Sequence, residues 1–213
     1  MDFLRITEIF LSLQGESRSV GWPTVFVRLT GCPLRCLWCD SAYAFSGGER
    51  LTLEEILQRI RSHGVRRVCV TGGEPLAQPK VFDLMERLVA EKFEVSLETS
   101  GALDVTPVHP AVSKVLDLKP PGSGEESRNR FENLALLGPK DQVKFVIKDR
   151  QDYLWSTTQI EKYALTRRVE VLFSPVAESL EPSTLAEWIL ADGLDVRFQL
   201  QLHKVLWGDR QGV

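Results

Sequence analysis

The sequence predicts an α/β fold in which a mostly parallel β-sheet forms an incomplete (β/α) barrel with helices on its outer side. Two extended segments, residues 6–11 and 24–29, open the chain, and strand-like and helical patterns then alternate to its end. This alternation favours parallel strands joined by helices. The 213 residues, 43% of them hydrophobic, suffice for one core, so we expect residues 1–213 to form a single domain.

The first helix has the clearest boundaries. Thr52 offers an N-cap oxygen and Glu55 follows three residues later, which is the pattern of a capping box, and Gly64 ends the helix. One apolar stripe with helical spacing lies between them: Leu53, Ile56, Leu57 and Ile60.

The remaining elements follow from the same periodicities. Strands are predicted at residues 67–70, 93–97, 115–118, 142–147, 169–173 and 196–202, and helices at residues 81–89, 128–137, 152–163 and 183–191. Ligands of such sheets bind beyond the carboxyl ends of the strands, so we expect the functional loops there.

Charge and cysteine content restrict the class of function. With 26 basic and 29 acidic residues the net charge is -3, which favours a small-molecule ligand over nucleic acid. Three of the four cysteines lie within eight residues, a spacing unsuited to a disulfide framework, so we expect a reducing cytoplasm. No segment has the roughly 20 apolar residues needed to span a bilayer, and we expect no membrane association.

Cys32, Cys36 and Cys39 are spaced C-x3-C-x2-C, so that one short loop can bring three thiolates to one metal centre. A 4Fe-4S cluster held by three thiolates keeps one iron free, and S-adenosylmethionine (SAM) can chelate that iron. A structural zinc site would instead need a fourth ligand. The candidates are Cys69, His63, His109 and His203, none of them at finger-like spacing.

A glycine-rich turn follows the next strand, with the sequence Thr71-Gly72-Gly73-Glu74-Pro75. Two glycines let the backbone approach a ligand closely, and Glu74 can fix the turn or its polar contacts. A plain Gly-Gly turn is equally compatible with this segment alone. Together with the cysteine loop, the segment resembles the radical SAM superfamily, in which the glycine-rich turn binds the amino group of SAM.

Further motifs narrow the resemblance to one family. They are Leu13-Gln14-Gly15-Glu16-Ser17, Arg28, Asp40-Ser41-Ala42-Tyr43 and Gln201-Leu202-His203-Lys204. Nearly end to end, the chain resembles the 7-carboxy-7-deazaguanine synthase family. This resemblance implies conversion of 6-carboxy-5,6,7,8-tetrahydropterin to 7-carboxy-7-deazaguanine with loss of ammonia, a step toward queuosine. It also implies a magnesium requirement, a homodimer and a reducing partner such as flavodoxin or ferredoxin.

The resemblance assigns roles to individual residues. Pterin contacts are expected at Leu13, Gln14, Gly15, Glu16, Arg28, Thr71, His203 and the chain end at Val213. SAM contacts are expected at Leu37, Trp38, Gly72, Gly73, Glu74, Asp117, Leu118 and Lys119. Family members usually carry Asp-Thr after the last cysteine, with the threonine hydroxyl on magnesium. Here Ser41 keeps that oxygen.

Two alternatives remain open from the sequence. An activating enzyme that generates a glycyl radical on a protein partner would keep the cluster and change the substrate, although Gln14, Arg28 and His203 favour a pterin. A zinc-dependent binding module is the second alternative. It would be expected to carry a basic patch, which the sequence lacks.

Overall fold

The computed structural model describes residues 3–208 and 210–213, while Met1, Asp2 and Asp209 lie outside the described residues. The described strands are β1 (Phe3–Leu13), β2 (Pro23–Leu29), β3 (Glu49–Thr52), β4 (Arg67–Gly72), β5 (Glu94–Thr99), β6 (Ser113–Leu118), β7 (Gln142–Ile147), β8 (Glu170–Pro175) and β9 (Arg197–Phe198). The α-helices are α1 (Leu53–Ser62), α2 (Val81–Ala90), α3 (Arg150–Tyr163), α4 (Pro182–Asp192) and α5 (Leu202–Trp207). In this part of the chain, no helix has the length and apolar character of a membrane span.

All the strands belong to one sheet of order β3-β1-β2-β4-β5-β6-β7-β8-β9. From β2 to β9 each strand is parallel to its neighbour, whereas β1 is antiparallel to both β2 and β3. The sheet has two free edges, at β3 and β9, and is therefore open. The predicted fold class, a mostly parallel and incomplete barrel with helices, is confirmed.

The sequence predicts the start of α1 correctly. The side-chain oxygen of Thr52 accepts a hydrogen bond from the Glu55 backbone amide at 3.2 Å, and the Glu55 carboxylate accepts one from the Thr52 amide at 2.8 Å. The predicted apolar stripe is buried against the sheet, and each such side chain contributes roughly 1.5–3 kcal/mol when it leaves water.

Residues 128–137 do not form the predicted α-helix. Short 3-10 turns at Glu126–Arg128 and Phe131–Leu136 take its place. Asn129 pairs twice with the backbone of Lys119, and Asn133 accepts from the amide of Val105. These asparagine side chains fix the segment to neighbouring loops, which competes with a regular helix.

The predicted last strand, residues 196–202, is also wrong over most of its length. Only Arg197–Phe198 pair with β8, and His203 lies in the first turn of α5. The chain leaves the sheet because the Gln199 side chain bonds the backbone amide and carbonyl of Ser17. The Leu202 amide then donates to the Gly15 carbonyl at 2.9 Å. Strand β3, which pairs with β1, was missing from the prediction.

The turn between β1 and β2, residues 14–22, covers the base of the curved sheet. Leu13 pairs with Pro23, so the turn lies at the amino ends of the parallel strands. From there Arg18 reaches across to β7, where its amide donates to Gln142 at 3.0 Å, and to β8, where its guanidinium pairs with Glu170 at 3.0 Å. These contacts close the end of the barrel opposite the cysteine loop.

Candidate active site

A cavity of about 660 Å³ lies inside the curved sheet and extends to the carboxyl ends of the parallel strands. The cysteine loop, the Thr71-Gly72-Gly73 turn, α5 and the end of the chain all border it. The predicted site residues that line it are Leu13, Gln14, Gly15, Glu16, Arg28, Cys32, Cys36, Trp38, Cys39, Ser41, Thr71, Gly72, Gly73, Asp117, Lys119, His203 and Val213.

The three loop cysteines are partly buried and have no disulfide partner. Burial raises the pKa of Cys36 to about 11, and Asp117 and the other two thiols add to the shift although Lys119 opposes it. Burial raises the pKa of Cys32 as well. Such thiols are protonated at neutral pH, and a bound cation would supply the charge that turns them into thiolate ligands. Three thiols directed into one cavity fit a cluster with an open iron position.

The glycine-rich turn packs against the start of the cysteine loop. A Cβ at Gly73 would fall 2.4 Å from the Gly31 carbonyl oxygen, and one at Gly72 would fall 2.5 Å from the Leu29 oxygen. The Gly73 and Glu74 amides donate to these same two carbonyls at 3.1 and 2.8 Å. The two glycines therefore fit β4 closely to the cysteine loop, in addition to exposing backbone to the cavity.

A chain of buried charges runs across the cavity wall. The Lys144 ammonium contacts the Glu16 carboxylate and lies 3.5 Å from Asp117 Oδ2, which also accepts from Lys119 at 2.9 Å. Burial opposes charge on Lys144 and Glu16, but their mutual attraction outweighs it, raising the pKa of Lys144 and lowering that of Glu16. The pair is therefore ionised.

Asp117 keeps one oxygen free. Its Oδ1 is buried and has no hydrogen-bond partner among the described residues. A buried acceptor left without a partner costs free energy, so the cavity offers a fixed acceptor for a ligand hydroxyl or amine at this point.

Two polar residues meet at Glu98 on the cavity wall. Its carboxylate accepts from Gln14 at 3.2 Å and from Thr71 at 3.4 Å. Burial and the nearby Glu16 charge raise the pKa of Glu98. Gln14 and Thr71 are thus brought together by a carboxylate that the sequence analysis did not single out.

The cysteine loop and α5 meet at Asp40. Its carboxylate lies 3.8 Å from the Lys204 ammonium and 3.5 Å from Gln201, and Gln201 also donates to Glu16 at 2.6 Å. Ser41 follows Asp40, with its hydroxyl 3.8 Å from the Cys39 sulfur. Helix α5 is thereby placed over the cavity beside the cysteine loop.

Three predicted SAM contacts have side chains outside the described cavity lining. Leu37 points into solvent and is 76% exposed, whereas Leu118 is fully buried in the core. Glu74 is fully buried, and its carboxylate accepts hydrogen bonds from the backbone amides of Leu76 and Ser100 and from the Thr99 hydroxyl. Glu74 therefore fixes the turn, and its carboxylate is hydrogen-bonded to groups of the protein itself.

Several lining residues were given no role from the sequence, among them Phe10, Phe26, Glu98 and Lys144, as well as Tyr43, which was noted only as part of a motif. Lys144 had a readable signal: it is a charged residue between apolar neighbours in β7, where an unpaired charge is costly. Glu98 had a weaker signal, because β5 also carries Glu94, Ser96 and Thr99. Phe10 and Phe26 gave no such signal, because apolar strand residues are ordinarily read as core.

Residues 26–119 match the Radical SAM superfamily. The matched segment contains the cysteine loop and the glycine-rich turn. The 7-carboxy-7-deazaguanine synthase of Koribacter versatilis is 44% identical, over 96% of this chain and 97% of that protein. The enzyme of the same name from Chlorobaculum tepidum is also 44% identical, over 99% and 97%. The crystal structure of QueE from Escherichia coli has the same fold, with a TM-score of 0.77 over 94% and 95% of the two chains and 22% identity.

The fold and the cysteine loop thus define a radical SAM protein, a class that implies a 4Fe-4S cluster and SAM. Within that class, the chain belongs to the 7-carboxy-7-deazaguanine synthase family.

Proposed function

We propose that this chain converts 6-carboxy-5,6,7,8-tetrahydropterin to 7-carboxy-7-deazaguanine, with loss of ammonia, on the route to queuosine and related 7-deazapurines. One observation carries the proposal: the three loop cysteines and the Arg28 guanidinium line the same cavity. A cofactor held at the cysteines and a carboxylate held at Arg28 would therefore share one enclosed space.

On the cofactor side, Cys32, Cys36 and Cys39 would hold the cluster. When bound, the cluster and SAM supply the electron and the carbon radical that start the reaction. Asp117 Oδ1, the free buried acceptor, would accept a hydrogen bond from a hydroxyl or amine of SAM. Trp38 and the backbone of Gly73 would complete the cofactor side of the cavity.

On the substrate side, Arg28 would bind the pterin carboxylate, since a guanidinium matches a carboxylate in shape and charge. Gln14, Glu16 and Thr71 would hydrogen-bond the pterin ring. His203 and Val213, which also line the cavity, would close it and exclude water.

The proposal includes a magnesium ion at Ser41. Mg²⁺ prefers oxygen ligands, and the Ser41 hydroxyl and the Asp40 carboxylate both line the cavity. The ion would orient the oxygens of the bound substrate.

A reduced flavodoxin or ferredoxin would supply the electron, and the proposed location is a reducing cytoplasm. We also propose a homodimer. Large apolar side chains exposed on and before α5, namely Leu200, Val205 and Leu206, are compatible with a partner surface, and light scattering of the purified protein would test the mass.

The decisive experiment is an anaerobic assay of the reconstituted enzyme with SAM, dithionite, MgCl₂ and the carboxypterin, with product identified by mass spectrometry. We expect the deazaguanine without any added protein substrate, and no product from Cys36→Ala. An enzyme that cleaves SAM but leaves the carboxypterin unchanged would instead point to the glycyl-radical alternative.

A further inference from the structure

A bulge in β1 determines what faces Arg28. Ile6 pairs with Leu29, and Glu8, not Thr7, then pairs with Arg28, so that one residue of β1 is extra at this point. Thr7 is the residue without a partner in the register, and its hydroxyl forms a hydrogen bond with the Thr30 hydroxyl at 2.7 Å. Bulges of this kind re-aim side chains, and here the bulge puts a carboxylate directly beside the guanidinium.

Glu8 uses one oxygen for two partners. Its Oε1 accepts from Arg28 Nε at 2.7 Å and from the Tyr43 hydroxyl at 2.7 Å. The guanidinium carbon lies 5.8 Å from the Tyr43 ring centroid and 6.0 Å from that of Phe10. Arg28 is therefore held from the side by a charge and from two directions by aromatic rings.

The attachment through Nε leaves the far end of the guanidinium free. No hydrogen bond joins Nη1 or Nη2 to any residue in the described part of the chain. The two Nη groups form the end-on fork that binds a carboxylate with two parallel hydrogen bonds. Since Arg28 and Glu8 are only 18% and 21% exposed at their side chains, solvent does little to reorient the fork.

We infer that Glu8 and Tyr43 are positioning residues that fix Arg28 for end-on binding of the substrate carboxylate, and that they thereby determine selectivity for a carboxylated pterin. This inference rests on the proposed function. Arg28 touches the substrate in it, whereas Glu8 and Tyr43 act only through Arg28.

Tyr43 gives the cleaner substitution of the two. Its hydroxyl donates to Glu8 Oε1 at 2.7 Å, so this one hydrogen bond can be removed without changing a charge. Tyr43→Phe removes the O–H donor and retains the ring beside Arg28. Glu8→Gln retains the size of the side chain and removes the charge that anchors Nε.

The test compares two ligands on the cluster-loaded enzyme with SAM bound. Calorimetry would measure affinity for 6-carboxypterin, an unreactive oxidised analogue, and for pterin, which lacks the carboxylate. In Tyr43→Phe and Glu8→Gln we expect 6-carboxypterin to bind roughly tenfold more weakly, the scale of a lost hydrogen bond to a charged group, and pterin to bind as in the wild type. In turnover, KM for the carboxypterin should rise while kcat changes little.

Matched controls lie outside the cavity. Tyr163 is a partly buried tyrosine stacked on Phe131, and Glu54 pairs with Arg61 at the surface. Tyr163→Phe and Glu54→Gln should bind both ligands as the wild type does.

The outcomes separate this inference from the proposed function. A wild-type enzyme with no preference for 6-carboxypterin over pterin would remove the carboxylate subsite, and with it the proposed substrate. A wild-type preference that survives in both variants would overturn the positioning role alone. Equal loss for both ligands in the variants would mean that Glu8 and Tyr43 only support the fold.

Discussion

The imidazole of His203 lies directly on Gly15. A Cβ built at Gly15 would fall 2.2 Å from His203 Nδ1, far inside van der Waals contact. The glycine in the Leu13-Gln14-Gly15-Glu16 segment thus gives room to the histidine of α5. Gly15→Ala should displace the ring and lower kcat/KM by about 10- to 100-fold, because a misplacement near 1 Å can cost that much.

Gly138→Ala is the matched control for Gly15→Ala, since a Cβ there meets nothing within 4 Å. Both proteins should retain iron and the same thermal midpoint within a few degrees. If Gly15→Ala turns over normally, His203 has no part in the reaction.

The cysteines are expected to divide into two groups. Replacing Cys32, Cys36 or Cys39 by alanine should abolish iron binding and SAM cleavage, because a ligand is lost. Cys69 is fully buried in β4, and Cys69→Ala should retain the cluster at a cost of about 1 kcal/mol in stability. Iron content and the brown absorbance of anaerobic protein give the readout, and SAM cleavage by Cys36→Ala would contradict the assignment.

Ser41 is expected to control the response to magnesium. Ser41→Ala removes the hydroxyl and should slow turnover and weaken its magnesium dependence, whereas Ser41→Thr keeps the oxygen and should be tolerated. Initial rates measured across a MgCl₂ titration, after removal of bound metal with EDTA, would test this. An unchanged titration curve for Ser41→Ala would exclude Ser41 from the site.

Glu74 should matter for stability more than for SAM affinity. Glu74→Ala leaves the buried amides of Leu76 and Ser100 without acceptors, at a cost of about 1–3 kcal/mol for each unsatisfied group. Urea denaturation should show a midpoint well below that of the wild type. If Glu74→Ala is as stable as the wild type but no longer binds SAM, then Glu74 contacts the cofactor directly.

The end of the chain is expected to contribute to substrate binding. Gly208 and residues 210–213 line the cavity, so deletion of residues 211–213, or a C-terminal tag, should raise KM or slow turnover while iron content stays the same. An N-terminal tag of equal length serves as the comparison. Unchanged kinetics after the deletion would show that the tail has no role.

Local signals predicted most of the sheet and of its helices. The capping box of Thr52 and Glu55, the buried apolar runs and the Gly-Gly turn all reflect interactions within a few residues. The segment around Asn129 and Asn133 was mispredicted because its side chains bond backbone about 10 to 30 residues away. The spacing of apolar residues along the sequence does not reveal such distant hydrogen-bond partners.

Site residues that belong to a recognisable motif could be predicted. Site residues whose contacts depend on the register between two strands could not. The cysteines were identified from their spacing, and Arg28 and Asp117 were assigned through the family resemblance. Glu8 was not, because its contact with Arg28 depends on a one-residue bulge at Thr7. The side-chain period of a strand is two, so a shift of one residue exchanges its faces, and nothing in the local sequence marks this shift.

The turn at the base of the sheet also constrains the order of folding. Ser17 bonds Gln199, 182 residues away, and Arg18 pairs with Glu170, 152 residues away. During synthesis, the strands from β2 onward can pair as they emerge from the ribosome, but the floor of the cavity has to wait for Glu170 and Gln199. Contacts of such long sequence separation form slowly. A nascent chain halted before Gln199 would therefore expose an unfinished pocket, so the binding chamber is completed only after the strands that surround it have been made.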